Sequence, residues 1–486
     1  MGYIGENLEK KARASKAGPA LQTGGCVLSW EEFLSSVQER EQLLRDNSPE
    51  GAQIALLLTD PTDILVSFFA CARSGRTALV MDPSWPQHQI ETVLKAVQPA
   101  LCLDDDQLAQ FMASRNDEFD TRPSNSPLET AEFYAGFTSG STGMPKGFVR
   151  SHRSWLESFR LSEPDFEDLE PTRIIILGGL SHSLHLYGAV HGLHRGTPVT
   201  VLSRFEPRAV LEVLQAEAGN AALYATPTQL QLIAEAARRS GSPKALRVVF
   251  SSGAKWPDGA KSAFAEVFPK ARLVEFYGAS ETSFISFARS GDGTPAGSVG
   301  RPPTGVSVAI GNPDQQLPLG TPGPIWVKSP LLFNRYICGR SLETVWQADW
   351  LTFGDHGYVD DAGYLFVTGR QNRMVITSGL NVYPEEIETV LMSHPAVKAA
   401  AVFGIPDALR GERLEAVIEL RLELEDPAQT LSDHCRRFAG RGKCPKRFHM
   451  KDKFPLTAGG KPDLQALKRE YGVSAAPVPV LEGENS

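Results

Sequence analysis

The segment Thr138-Ser139-Gly140-Ser141-Thr142-Gly143-Met144-Pro145-Lys146-Gly147 constrains this chain more than any other stretch. It follows an apolar run at 133–137 that reads as a strand. Its glycines permit tight turns and close approach of backbone to a ligand. Its hydroxyls and backbone N–H groups can surround phosphate oxygens, and Lys146 adds positive charge. The spacing is not GxxxxGK[ST], so a Walker-type nucleotide loop is not indicated. A Gly/Ser surface loop is the plainer alternative. The Pro-Lys pair fixed at one end and the flanking strands favour a phosphate-binding loop.

The surrounding pattern predicts an α/β fold. Residues 53–59 read as a buried strand, 64–73 as a helix and 78–81 as a second strand. The same rhythm returns at 173–177, 198–202, 222–224 and 246–251. Continuous apolar strands separated by helices indicate parallel sheets covered on both faces. From Ser298 the texture changes to short, turn-bounded strands at 300–310, 323–327 and 363–367, a β-rich lobe. A small α+β unit follows, with helices at 384–393 and 431–437 and strands at 397–403 and 415–422. The expected division is a large N-terminal domain at 1–369, a hinge at 370–372, a small mobile α+β domain at 373–470 and a Pro-rich polar tail at 471–486.

With 486 residues, 42% of them apolar, the chain can bury more than one core. A formal net charge of −8 gives no electrostatic reason to expect nucleic acid or an anionic membrane as partner. Any phosphate-bearing ligand must be held by local design. Cys26, Cys71, Cys102, Cys338, Cys435 and Cys444 form no CxxC pair, so reduced thiols are expected. The first residues lack a signal-like apolar stretch, and no run of about 18 apolar residues occurs. A cytoplasmic protein without integral membrane association is expected.

Further segments follow in order: Tyr277-Gly278-Ala279-Ser280-Glu281-Thr282, Gly354-Asp355-His356-Gly357-Tyr358, Gly369-Arg370, and Pro455-Leu456-Thr457-Ala458-Gly459-Gly460-Lys461. Together with 138–147 they resemble the signatures of the acyl-adenylate-forming superfamily, which includes acyl- and aryl-CoA synthetases, peptide-synthetase adenylation domains and firefly luciferase. The resemblance runs over about 28–467. It implies that a carboxylate attacks the α-phosphate of ATP, followed by transfer of the acyl group to a thiol. Two anions must then meet, so catalysis needs charge screening and in-line geometry.

The resemblance assigns roles residue by residue. Residues Thr138 to Gly143 and Lys146 would grip the phosphates. Glu281 is the candidate Mg²⁺ ligand, with Thr138 beside it, because magnesium favours carboxylate and phosphate oxygens. Ser280 stands where the family usually has threonine and could donate to the α-phosphate. Tyr277 would stack on adenine, or pack as an ordinary strand-end tyrosine. Gly278 belongs to the same loop. Ser252, Gly253 and Ala254 would line the adenine pocket. Asp355 would accept from two ribose hydroxyls, its alternative being a turn aspartate. Arg370 would make a second ribose or phosphate contact. Lys461 would bridge carboxylate and α-phosphate, with charge that matters most in the transition state. The hinge carries Asn372 where the family commonly has Asp or Lys.

For the acid, the resemblance marks His182, Tyr187, Gly188, Tyr224 and Ala279 as pocket residues. No aspartate accompanies Leu180-Ser181-His182-Ser183-Leu184-His185, which argues against an amino acid. Gly379, in a segment close to the acyl-CoA synthetase version, would pass near the thiol. Lys443, Lys446 and Arg447 could meet coenzyme A phosphates or form a solvated patch. The leading expectation is an acyl-CoA synthetase using a small carboxylic acid, ATP, Mg²⁺ and CoA, as a monomer or homodimer. The alternative is a stand-alone adenylation enzyme that loads an acyl carrier protein or an amine.

Overall fold

The computed structural model describes residues 2–113, 126–138, 145–167, 169–254, 256–377, 380–407, 411–455 and 462–471. They fall into two compact units, one from Met1–Phe353 and Tyr358–Phe366, the other from Gly354–Gly357 and Val367–Ser486.

Among the described residues the larger unit holds two α/β sheets. The first orders its strands Arg335–Cys338, Lys146–Ser151, Glu132–Thr138, Thr77–Val80, Gln53–Leu57 and Leu101–Asp104. Its middle strands are parallel, and Lys146–Ser151 returns antiparallel beside Glu132–Thr138. The crossover helix Pro61–Arg73 starts where Asp60 accepts the N–H groups of Thr62 and Asp63. Ile64 through Arg73 are all buried, as suits a helix apolar on every side.

The second sheet runs Ser286–Arg289, Arg272–Tyr277, Leu246–Ser251, Ala221–Ala225, Arg173–Ile176, Val199–Val201, Pro19–Thr23 and Cys26–Ser29. Helices Pro207–Ala216 and Pro227–Ser240 pack Val210, Leu211, Leu214, Leu230 and Ile233 against Ile175, Leu223 and Val249 in one apolar cluster. Burying each such side chain contributes about 1.5–3 kcal/mol.

A third, mainly antiparallel sheet forms the β-rich lobe. Its first strand is Ser307–Asn312, not 300–310 as the sequence suggests. Pro302 and Pro303 have no N–H to give a ladder, and Gly300 sits at φ 90° against Phe287.

The smaller unit is a five-stranded sheet with helices Pro384–Met392, Pro427–Ala439 and Leu464–Glu470. Its hairpin, Val397–Asp407 with Gly411–Leu420, runs beyond the expected strands 397–403 and 415–422 toward its turn and ends at Leu420, two residues short of 422. The ladder continues through mixed pairs such as Ile405 with Arg413 and Pro406 with Glu412, where Arg413 and Glu412 break the apolar pattern on one strand.

Candidate active site

The parallel strands Arg173–Ile176, Ala221–Ala225, Leu246–Ser251 and Arg272–Tyr277 send their following loops to one edge of the sheet. Ser251 is in register with Glu275, so the loops at 252–254 and 278–285 lie side by side. Ser252 is buried, Gly253 takes φ 91°, and Gly253 and Ala254 are exposed. Tyr277 is half-buried at the end of its strand.

The loop after Tyr277 closes tightly. Ala279 N donates to Thr282 Oγ1 at 2.8 Å, and Ile285 N donates to Tyr277 O at 2.8 Å. A Cβ on Gly278 would sit 1.7 Å from the Ser283 carbonyl oxygen, so this position requires glycine. The loop presents Ser280 and Glu281. The Ser280 hydroxyl lies 2.9 Å from that of Ser183, at the start of helix Ser183–Arg195. Glu281 is buried, and its Oε1 accepts the Tyr336 hydroxyl at 2.9 Å while its carbonyl accepts Phe333 N at 2.7 Å. Tyr336 also meets Thr344 Oγ1 at 3.1 Å. Burial, then the Glu281 charge, holds the Tyr336 phenol protonated well above its ordinary range.

The hairpin of Glu132–Thr138 and Lys146–Ser151 pairs Thr138 with Lys146. Ser139, Gly140, Ser141, Thr142 and Gly143 lie between them, outside the described residues. Thr138 Oγ1 is buried and takes no partner among the described residues. On the other flank of Lys146–Ser151, Tyr336 pairs with Phe148 and Cys338 with Gly147. A Cβ on Gly339 would meet the Pro145 carbonyl at 2.8 Å. Tyr336, which holds Glu281, is therefore about 10 Å along its strand from the root of the glycine-rich segment. The strand Lys146–Ser151 and the loop that carries Glu281 are thus joined through Tyr336.

Arg150 fastens the two together. It is 1% exposed. It donates to Ser280 O at 2.7 Å, Ser283 Oγ at 2.7 Å, Leu331 O at 2.5 Å and Ser154 Oγ at 3.1 Å. Burial pulls its pKa down to about 10, with the fields of Tyr134, Tyr187 and Glu281 opposing.

The expected acyl-pocket residues separate into two sets. His182 and Ala279 are partly exposed, flanking the contact of Ser183 with Ser280. Tyr187, Gly188 and Tyr224 belong to the packed interior. Tyr187 is bonded to Ser158 Oγ at 2.9 Å. Tyr224 is 0% exposed, meets His191 Nδ1 at 2.9 Å and stacks on Phe250. A Cβ on Gly188 would lie 2.6 Å from the Tyr224 ring.

In the smaller unit Asp355 is buried and its Oδ1 lies 2.9 Å from Arg370 Nε. His356 Nδ1 lies 2.6 Å from the Tyr383 hydroxyl. Asn372 is exposed within the short turn Gln371–Arg373. Lys443 donates to both oxygens of Glu386 at 2.8 and 2.9 Å, and Arg447 lies 4.0 Å from Glu415, so two members of the basic cluster are already ion-paired. Gly379 and Lys461 lie outside the described residues, as does all of the tail but Tyr471.

Sequence reasoning missed Arg150 and Tyr336. The one available signal was a charged residue inside the apolar strand Lys146–Ser151. Tyr336 lies 55 residues from Glu281, and only the fold brings the two together.

With this geometry in place, comparison with known proteins assigns the family. The AMP-binding enzyme model matches residues 8–337, and the model of that family's C-terminal domain matches 386–461. The chain belongs to the AMP-binding enzyme family. The uncharacterized acyl–CoA ligase YhfT of Bacillus subtilis is 35% identical to this AMP-binding enzyme over 473 residues, covering 94% of this chain and 96% of the relative. Feruloyl-CoA synthase of an Amycolatopsis species is 28% identical over 487 residues, covering 95% and 98%. Among solved structures, o-succinylbenzoate coenzyme A synthetase (MenE) of Bacillus subtilis, in complex with ATP and magnesium ion, superposes with a TM-score of 0.82 at 25% identity. That match covers 95% of this chain and 98% of the other. No helix among the described residues is long and apolar enough to cross a membrane.

Proposed function

We propose that this AMP-binding enzyme is an ATP-dependent carboxylate–CoA ligase. The observation that carries the reading is the join in the larger unit between the Thr138–Lys146 ladder pair, the two residues that border the glycine-hydroxyl segment, and Glu281, anchored through Tyr336 on the strand beside Lys146–Ser151. In the first half-reaction a carboxylate oxygen forms a bond to the α-phosphorus of ATP and the bond to pyrophosphate breaks. In the second, the CoA thiolate attacks the acyl carbonyl and AMP leaves with the bonding electrons. Lys146 and the hydroxyls of the segment bind and orient the triphosphate. Ser280 donates toward the α-phosphate. Lys461 supplies charge where the reacting anions meet.

Among the described residues no cluster of three or more His, Cys, Asp or Glu side chains is arranged for a metal ion. That suits Mg²⁺, which is commonly held by one or two carboxylates together with substrate phosphates. Glu281 is a buried carboxylate and Thr138 Oγ1 is buried without a partner among the described residues, so this pair would hold the ion, which screens phosphate charge when bound.

Asp355 and Arg370 are proposed for the ribose, Tyr277 and 252–254 for adenine, and Gly379 for the passage of the thiol. We read 370–372 as the hinge between domains at 1–369 and 373–470. The activities named for the relatives, acyl–CoA ligase, feruloyl-CoA synthase and o-succinylbenzoate CoA synthetase, support CoA as acceptor. The acid is a carboxylate without an α-ammonium group, since Leu180 to His185 offer no aspartate.

A panel of carboxylic acids tests the reading in two assays. At least one acid should drive exchange of labelled pyrophosphate into ATP, and AMP should then accumulate on addition of CoA. No exchange with any acid contradicts adenylation. Exchange without CoA-dependent AMP points to a carrier thiol or an amine as acceptor.

A further inference from the structure

Arg150 is a cation in the interior whose hydrogen bonds among the described residues go to neutral acceptors. Its guanidinium meets two carbonyls, Ser280 O and Leu331 O, and two hydroxyls, Ser154 Oγ and Ser283 Oγ. Burying an ion without a bonded counter-charge is expensive, and a neutral amide could bridge two carbonyls at lower cost. What distinguishes this cation is its place. It stands on the strand that begins at Lys146, four residues beyond it, and grips the loop on both sides of Glu281. Leu331, its third anchor, lies two residues before Phe333, whose N–H holds the Glu281 carbonyl. The fork of five N–H groups spans strand, loop and return segment at once, which lysine cannot do.

We infer that Arg150 is a positioning residue for adenylation: it fixes the 279–283 loop so that Ser280 and Glu281 face the triphosphate held by the Thr138–Lys146 hairpin. The inference rests on the proposed ligase reading. Arg150 is buried and touches no reactant; it acts through the loop. Misplacing a reacting constellation by about 1 Å can lower turnover on the order of 10²-fold.

The test compares wild type, Arg150→Lys and Arg150→Gln by steady-state pyrophosphate exchange and by amide hydrogen exchange. Arg150→Lys keeps the charge and loses the fork. It should lower kcat at least about tenfold with KM for ATP changed less than about threefold, because the hairpin that grips ATP is intact. Amides of 279–285 should exchange faster in the same variant, while those of Leu246–Ser251 keep their protection. If Arg150→Gln does not fold, Ser283→Ala removes one acceptor and should reproduce both changes in weaker form. Wild-type kcat in Arg150→Lys overturns the inference, as does faster exchange spread evenly over the unit, which marks a purely structural arginine. Failure of wild type itself to exchange pyrophosphate with any acid removes the ligase reading instead, so the two failures are distinct.

Discussion

Removing the Tyr336 hydroxyl leaves Glu281 Oε1 without its donor. A hydrogen bond to a charged group contributes roughly 1.5–3 kcal/mol, so Tyr336→Phe should lower kcat for adenylation about tenfold or more. Pyrophosphate exchange with a saturating acid measures this, and an unchanged kcat means that the carboxylate needs no anchor. Lys461→Ala should cost on the order of 10²-fold or more in the same assay, comparable with loss of a transition-state donor. Glu281 could be singled out from the sequence as a candidate because it sits in a short ordered motif, Tyr277 through Thr282. Asp355 and Arg370 could be singled out for the same reason; their ion pair was not readable from spacing. Arg150 and Tyr336 were not. Their partners lie 130 and 55 residues away, and spacing along a chain carries no information about such contacts. Tyr187 and Tyr224 show the converse, since an aromatic beside a site motif gives no indication of whether it faces a cavity or the core.

At the level of the elements, the loop from Gly278 to Ile285 is the piece most sensitive to one added carbon. Gly278→Ala would drive a methyl group into the Ser283 carbonyl, and the turn must open to relieve it. Overpacking of this kind costs about 1–3 kcal/mol. The urea midpoint should fall accordingly, and adenylation should fall further than stability alone explains; a variant with wild-type midpoint and turnover contradicts the close approach. The strands that place this loop were readable because they are short apolar runs, and Leu246–Ser251 matches its expected bounds. Two elements escaped hydropathy. Pro302 and Pro303 delay the lobe's first strand to Ser307, and the Val397–Asp407 hairpin runs on through pairs that each set a charged residue opposite an uncharged one, Ile405 with Arg413 and Pro406 with Glu412.

Across the whole molecule, buried histidines couple stability to pH. Burial, with the His194 field added, pushes His152 down to about 3. Burial, then His182, lowers His185 to about 4, and burial alone lowers His194 to about 4. His152 Nδ1 accepts Ile4 N, and His194 Nδ1 accepts Gly5 N, bonds that require neutral rings. The unfolded chain takes up protons near pH 6.5 while the folded one does not, so stability is full above that value and drains as pH falls toward 4. At pH 5 each ring costs about 2 kcal/mol, and three together approach the stability of an ordinary domain, about 5–15 kcal/mol. Urea midpoints should drop steeply from pH 7 to 5, and a flat profile contradicts neutral burial. The α/β class and the small α+β unit were visible from strand rhythm alone, whereas the sheet orders were not, because crossovers are not encoded in local patterns. The central claim is that the carboxylate itself attacks the α-phosphorus. Supplying an acid labelled with ¹⁸O in both carboxyl oxygens, with ATP and CoA, tests it most directly. One labelled oxygen should appear in the phosphoryl group of AMP for each thioester formed; label in inorganic phosphate, or AMP without label, contradicts it.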